Sequence, residues 1–224
     1  MKKIILDLCG GTGSWSLPYK EAGYDVRNIT LPEYNVTKYA TSTDGITFDR
    51  ENWIDFKNIF GILAAPPCTM FSFARTNAKK PRDLKGGMDV IKACLDIIWQ
   101  SQFHLSNDQQ KYSPLKFWAL ENPYYAMTKW FLGKPAFVFQ PYEFGHNYQK
   151  KTALWGMFNE PEKKPIKMTK KQKELAKTNS QPMPKFDYMK SKDIAPDWFG
   201  KLTRKERRAI TPRGFAEAFY KANN

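Results

Sequence analysis

One arrangement near the N-terminus constrains the fold more than any other feature. Residues 3–8 are an apolar run of single-strand length, Gly10-Gly11-Thr12-Gly13 follows at once, and residues 14–22 read as a short helix with Pro18 in its first turn. Strand, glycine turn and helix in that order open an α/β sheet. The alternation then continues. Residues 26–31, 60–64, 117–120, 137–139 and 152–155 are further short apolar runs. Met88, Ile91, Leu95 and Ile98 recur at helical spacing, which predicts an amphipathic helix over 85–102. Strands separated by helix-length segments imply an α/β fold with a doubly wound, mostly parallel sheet.

At 224 residues the chain suits one domain with an appendage. Its net charge of +14 is unevenly spread: residues 150–224 hold 19 Lys and Arg against 8 Asp and Glu, and the rest is almost balanced. Such a basic segment favours a polyanionic partner, nucleic acid before an anionic membrane, against the plainer alternative of a solvated lysine-rich face. No apolar run approaches the ~18 residues of a membrane span, and the first apolar stretch stops at Asp7, so it reads as a strand rather than a signal peptide. Cys9, Cys68 and Cys94 form no CxxC pair, which points to a reducing cytoplasm, and His104 and His146 give a metal site little to draw on. After Phe158 the texture changes. Residues 159–202 are rich in Lys and Pro and lack either regular period; order returns with the capping box Thr203-Arg204-Lys205-Glu206. Thr211-Pro212 then reads as N-cap and first helical residue, with Phe215 and Phe219 on one face of the last helix.

Three motifs fall at strand ends, where the crevice of such a sheet lies. Asp7-Leu8-Cys9-Gly10-Gly11-Thr12-Gly13 lets the backbone pass close under a ligand; it lacks the Lys of a phosphate loop and the full spacing of a dinucleotide site. Ala65-Pro66-Pro67-Cys68 presents a thiol on a stiffened loop, a nucleophile if ionised and a small buried residue otherwise. Glu121-Asn122-Pro123 follows the run 117–120 and offers a carboxyl group as general acid, or a surface turn.

Together and in this order, the motifs resemble those of the DNA cytosine-5 methyltransferases. Residues 7–15 look like that family's cofactor loop. Pro66-Pro67-Cys68 with Phe71-Ser72 looks like its catalytic loop, and Glu121-Asn122 like its E-N-V motif. Asn147, Gln149 and Lys151 fall where the family has Q-x-R-x-R, and Thr211 opens the final motif. The resemblance implies a Rossmann-like fold that uses S-adenosyl-L-methionine (SAM). It would comprise a catalytic domain over 1–156, a reduced basic target-recognition segment over 157–208, and a C-terminal helix over 209–224 packing back on the first.

The same resemblance implies methyl transfer to C5 of cytosine through a covalent Cys68–C6 adduct with base flipping. Cys68, Glu121 and Lys151 would be catalytic. Asp7, Cys9, Gly11, Gly13, Trp15, Pro66 and Thr211 would hold SAM, with Trp15 offering the adenine a face because Cys9 replaces the motif's aromatic residue. Ser72, Asn122, Asn147 and Gln149 would meet nucleic acid, joined by Lys170 and Lys171 from the basic segment. Double-stranded DNA is the implied partner of a monomer working in the cytoplasm of a bacterial or phage-infected cell, as in restriction–modification. Cytosine in RNA such as tRNA is the nearest rival. A binding protein without turnover is another, against which the intact Cys68 and Glu121 speak. With only 44 residues in 159–202 to read a site, the expected target is two or three bases and the binding steeply salt-dependent.

Overall fold

The computed structural model describes residues 3–49, 51–73, 75, 78–103, 115–178, 182–184 and 200–224. His104 and part of the basic segment therefore lie outside the described residues. A six-stranded sheet forms the centre. β1 (Ile4–Leu8) lies parallel to β2 (Asp25–Ile29) on one side and to β6 (Ile59–Ala64) on the other; β6 in turn is parallel to β7 (Phe117–Pro123). β9 (Thr152–Met157) joins β7 antiparallel, and β8 (Phe137–Phe139) closes the edge antiparallel to β9, giving the order β2-β1-β6-β7-β9-β8. The expected α/β class and mostly parallel central sheet are present, a Rossmann-like arrangement.

Alternation along the strands explains why both faces are covered. Leu6, Leu8, Ile62, Ala64 and Leu120 point to the side where α2 (Leu84–Gln102) lays down Ile91, Cys94, Ile97 and Ile98. Ile5, Leu63 and Ala119 point to the other side, against α1 (Leu17–Glu21) and α6 (Arg213–Ala222). That second face is aromatic. Phe139 stacks on Phe215 with centroids 3.8 Å apart, Tyr19 on Phe117 at 5.6 Å, and Phe219 meets Trp15 edge-on at 5.5 Å. Arg213 forks onto Glu21 at 2.6 and 3.1 Å, joining α6 to α1.

Several boundaries differ from the sequence reading. The first helix begins at Leu17, not residue 14, because Gly13 N–H turns back to the Gly10 carbonyl and Ser16 is engaged by Asp7. Glu121, Asn122 and Pro123 lie within β7 rather than after it, since pairing with β9 carries the ladder on to Pro123–Thr152. The last helix starts one residue late, with Pro212 rather than Thr211 as its N-cap. A small antiparallel sheet of β3 (Ala40–Thr41), β4 (Gly45–Thr47) and β5 (Trp53–Asp55) was not expected from its short, polar strands. Nor was α4 (Lys170–Lys177), although Thr169 and Gln172 form the capping box that starts it. α3 (Thr128–Leu132), α5 (Arg204–Ala209) and two 3-10 turns, Phe56–Asn58 and Pro141–Glu143, complete the described elements. Among the described residues no helix is long and apolar enough to cross a membrane.

Candidate active site

Leu8, Ala64 and Leu120 share one register row across three parallel strands. The three motifs follow that row side by side, the first two as loops and the third as the last residues of β7, because parallel strands put their carboxyl ends on one edge.

The loop after β1 is fastened from several directions. Asn28 Nδ2 donates to the Gly11 carbonyl at 3.0 Å, Gly11 N–H reaches Thr30 Oγ1 at 3.3 Å, and Thr211 N–H donates to Ser14 Oγ at 2.9 Å. Gly11 and Gly13 hold left-handed backbone angles, φ +55° and +69°. A Cβ on Gly11 would meet nothing within 4 Å, so this backbone faces open space, whereas a Cβ on Gly10 would lie 2.3 Å from the Asp7 carboxyl carbon.

Asp7 itself supports the loop from beneath. It is wholly buried, takes a 2.5 Å hydrogen bond from Ser16 Oγ on Oδ2, and its Oδ1 has no donor. Burial pushes its carboxyl up to about 6, with the Ser16 bond pulling the other way. The native chain thus binds a proton that the unfolded chain, with Asp7 near its ordinary 3.8, has already released. Asp7's contribution is complete below pH 4 and lost as pH rises through about 6, a fall of about 3 kcal/mol for two pKa units. Urea unfolding should therefore show the stability gap between wild type and Asp7→Asn changing by about that amount between pH 4 and 7; a gap independent of pH would mean Asp7 ionises normally.

Two of the residues assigned to SAM are turned elsewhere. Cys9, at φ +58°, packs on the α2 side, in the core cluster that holds Cys94. Trp15 is 3% exposed between Phe215 and Phe219, so its ring faces are occupied by the core and give adenine no stacking surface. Pro66 is buried with its carbonyl engaged by Asn122, and Thr211 is half-buried with its amide on Ser14. The loop that remains fits a SAM-like group: an open glycine backbone beside the orphaned buried acceptors Asp7 Oδ1 and Asn28 Oδ1, which suit a cationic, hydrogen-donating ligand.

Cys68 sits in a tight turn whose carbonyl accepts from the amides of Phe71 and Ser72 at 3.0 and 2.9 Å. Burial and the neighbouring Glu121 carboxylate push its thiol up; Lys150 and Arg208 of α5 pull it down. Burial likewise raises the Glu121 carboxyl, against the pull of Lys150. Thiol, carboxyl and ammonium thus sense one another at the ends of neighbouring strands. Asn122 fixes that relation. It is 1% exposed, its Nδ2 donates to the carbonyls of Pro66 (3.0 Å) and Glu121 (2.9 Å), and its Oδ1 accepts from Thr128 at 2.8 Å. It therefore clamps the Cys68 loop to β7, with its whole amide engaged inside the protein.

Lys151 is brought instead over the rings of Tyr124 and Tyr125, at 4.2 and 5.4 Å, and it is the charge of Lys150, whose Nζ donates to the Ile210 carbonyl at 3.5 Å, that Cys68 and Glu121 feel. Sequence reasoning passed over Lys150 and Arg208. The signal for Lys150 was the one-residue alternation of an extended lead into β9, which sends adjacent lysines opposite ways. Arg208 had only a basic helix behind a capping box. Ser72 pairs with Ala126 in an isolated bridge, Asn147 is exposed, and Gln149 is half-buried with an unpartnered Oε1. Lys170 and Lys171 stand exposed on α4. Comparison with known proteins finds no matching family model and no similar curated protein.

Proposed function

We propose that the protein is a SAM-dependent DNA cytosine-5 methyltransferase. The carrying observation is that Asn122 ties the Cys68 loop after β6 to Glu121 on β7, one strand away from the open glycine loop of β1. C5 of cytosine is a poor nucleophile within an aromatic ring. The Cys68 thiolate adds to C6, forming an S–C bond and making C5 enamine-like. Glu121, whose raised pKa lets it carry a proton, donates it to N3 and neutralises the charge that the addition pushes onto the ring. Lys150 stabilises whichever of the two groups is ionised. SAM, which Gly11, Gly13 and the acceptors around them would hold, would supply C5 with an electrophilic methyl group, its sulfonium sulfur keeping the bonding pair as a neutral thioether. C5 then loses its proton to solvent, the electron pair left behind expels Cys68 as thiolate, and N3 returns its proton to Glu121. In duplex DNA, where C6 is buried, the base would have to leave the stack.

Exposed Lys170 and Lys171 and the surplus charge of the last third suit a phosphate backbone. The test is to express the chain in cells lacking other cytosine methylation and sequence their DNA after bisulfite conversion. Protected cytosines in a short recurring context are expected; fully converted DNA, with the protein present and folded, refutes the assignment.

A further inference from the structure

Beside the Cys68 crevice the surface carries large rings that a folded chain ordinarily hides. Trp130 is 65% exposed, Tyr125 56% and Phe73 48%. They form one connected patch. Phe73 meets Trp130 at 5.6 Å, and Tyr125 meets Tyr124 edge-on at 5.1 Å. Lys129, next to Trp130 on α3, lies 5.1 Å from the Tyr124 ring, and Lys151 shares that ring from 4.2 Å. Neither lysine pairs with a carboxylate among the described residues.

The patch is continuous with the candidate active site. Phe73 lies five residues after Cys68, and Tyr124 three after Glu121. The two loops are joined by the Ser72–Ala126 bridge and by Met127 N–H on the Phe71 carbonyl at 2.9 Å. It is also held firmly: Phe71 packs on Phe131 at 5.9 Å from beneath, and Trp155 Nε1 donates to the Gly133 carbonyl at the end of α3. Exposed aromatic rings interleaved with cations, on a chain of net charge +14, are matched by a polyanion that offers flat rings. A duplex offers phosphates and groove edges but keeps its base faces inside the stack. An unpaired strand offers both.

We propose that Phe73, Tyr125 and Trp130, with Lys129 and Lys151, form a stacking platform for unpaired DNA next to the target base. The proposal rests on the methyltransferase reading for what lies beside the platform, and it departs from the double-stranded substrate that the family resemblance implies. A strand gripped this way presents its cytosine already unstacked, which removes much of the energy needed to flip it.

The test uses the full chain without SAM, and a probe without cytosine: labelled dT12, its dT·dA duplex and rU12, followed by fluorescence anisotropy at one fixed salt concentration. The expected result is dT12 bound at least tenfold more tightly than the duplex and more tightly than rU12. Trp130→Ala and Tyr125→Ala should each weaken dT12 about tenfold and leave duplex binding unchanged, and Trp130→Phe should restore most of the loss. Equal or tighter binding of the duplex, unchanged dT12 binding by Trp130→Ala, or a preference for rU12 overturns the proposal. So does sedimentation of the free chain as a dimer that Trp130→Ala dissociates, since a second copy would then cover the patch. No methyl transfer is involved, so bisulfite mapping can fail while dT12 binding holds, and the reverse.

Discussion

DNA containing 5-fluorocytosine, incubated with the protein and SAM, is expected to become covalently attached at Cys68, and Cys68→Ala to leave no adduct. Once C5 has taken the methyl group, fluorine occupies the place of the departing proton, so no electron pair is released to expel the sulfur. Methylation of ordinary cytosine by Cys68→Ala should fall below about a ten-thousandth of the wild-type rate, because among the described residues the other thiol on this sheet edge, Cys9, is packed toward α2. The thiol is small and only partly buried, so the variant should fold. An adduct or normal turnover in Cys68→Ala would refute the mechanism. The resting thiol is pushed up by burial and by Glu121, so protonation or base binding at Glu121 should accompany activation rather than follow it. Cys68 and Glu121 then share one proton and one negative charge beside Lys150.

The second large effect is expected at Gly11. A valine there places its side chain in open space above the loop, where the ligand's closest approach to backbone would be. SAM affinity by calorimetry should fall at least about a hundredfold, because the side chain takes the space the ligand would occupy and the hydrogen bonds from Asn28 and to Thr30 keep the loop from moving aside. Folding should also weaken by about 1–3 kcal/mol, since φ of +55° is strained for any side chain and most for a β-branched one. Measuring affinity at a temperature where the variant is fully folded separates the two. Unchanged affinity would remove the cofactor assignment.

Elements with a strong local period were legible in the sequence. The run at β1, the helix α2 and the strands feeding the central sheet announce themselves, and their order alone brings Cys68 and Glu121 to one edge. What stayed hidden depended on partners remote in sequence. β7 continues through Glu121 because β9 pairs with it, which no local pattern encodes. Trp15 reads as a ligand face until α6 returns and encloses it with Phe215 and Phe219. Asn122 reads as a contact residue until Pro66 and Thr128 take up its amide. Lys150 and Lys151 are the same residue type in adjacent positions, and only the direction of an extended backbone assigns one to the thiol and the other to the tyrosines. The class of fold is a local property; the aim of each side chain is not.

The hydrogen bond from Thr211 to Ser14 joins residues 197 positions apart, and Tyr19 Oη donates to the Asn223 carbonyl across 204. The first ties the loop after β1, and the second α1, to the residues that flank the last described helix. A nascent chain emerging from the ribosome therefore carries its glycine loop and its thiol long before it carries the residues that steady the loop. Ordering this region means closing the longest loops the molecule contains, whose entropy has to be overcome before the contacts compensate. Competence should arrive as a single late event, when α6 docks against α1, leaving a partly made chain with a nucleophile and no finished ligand site.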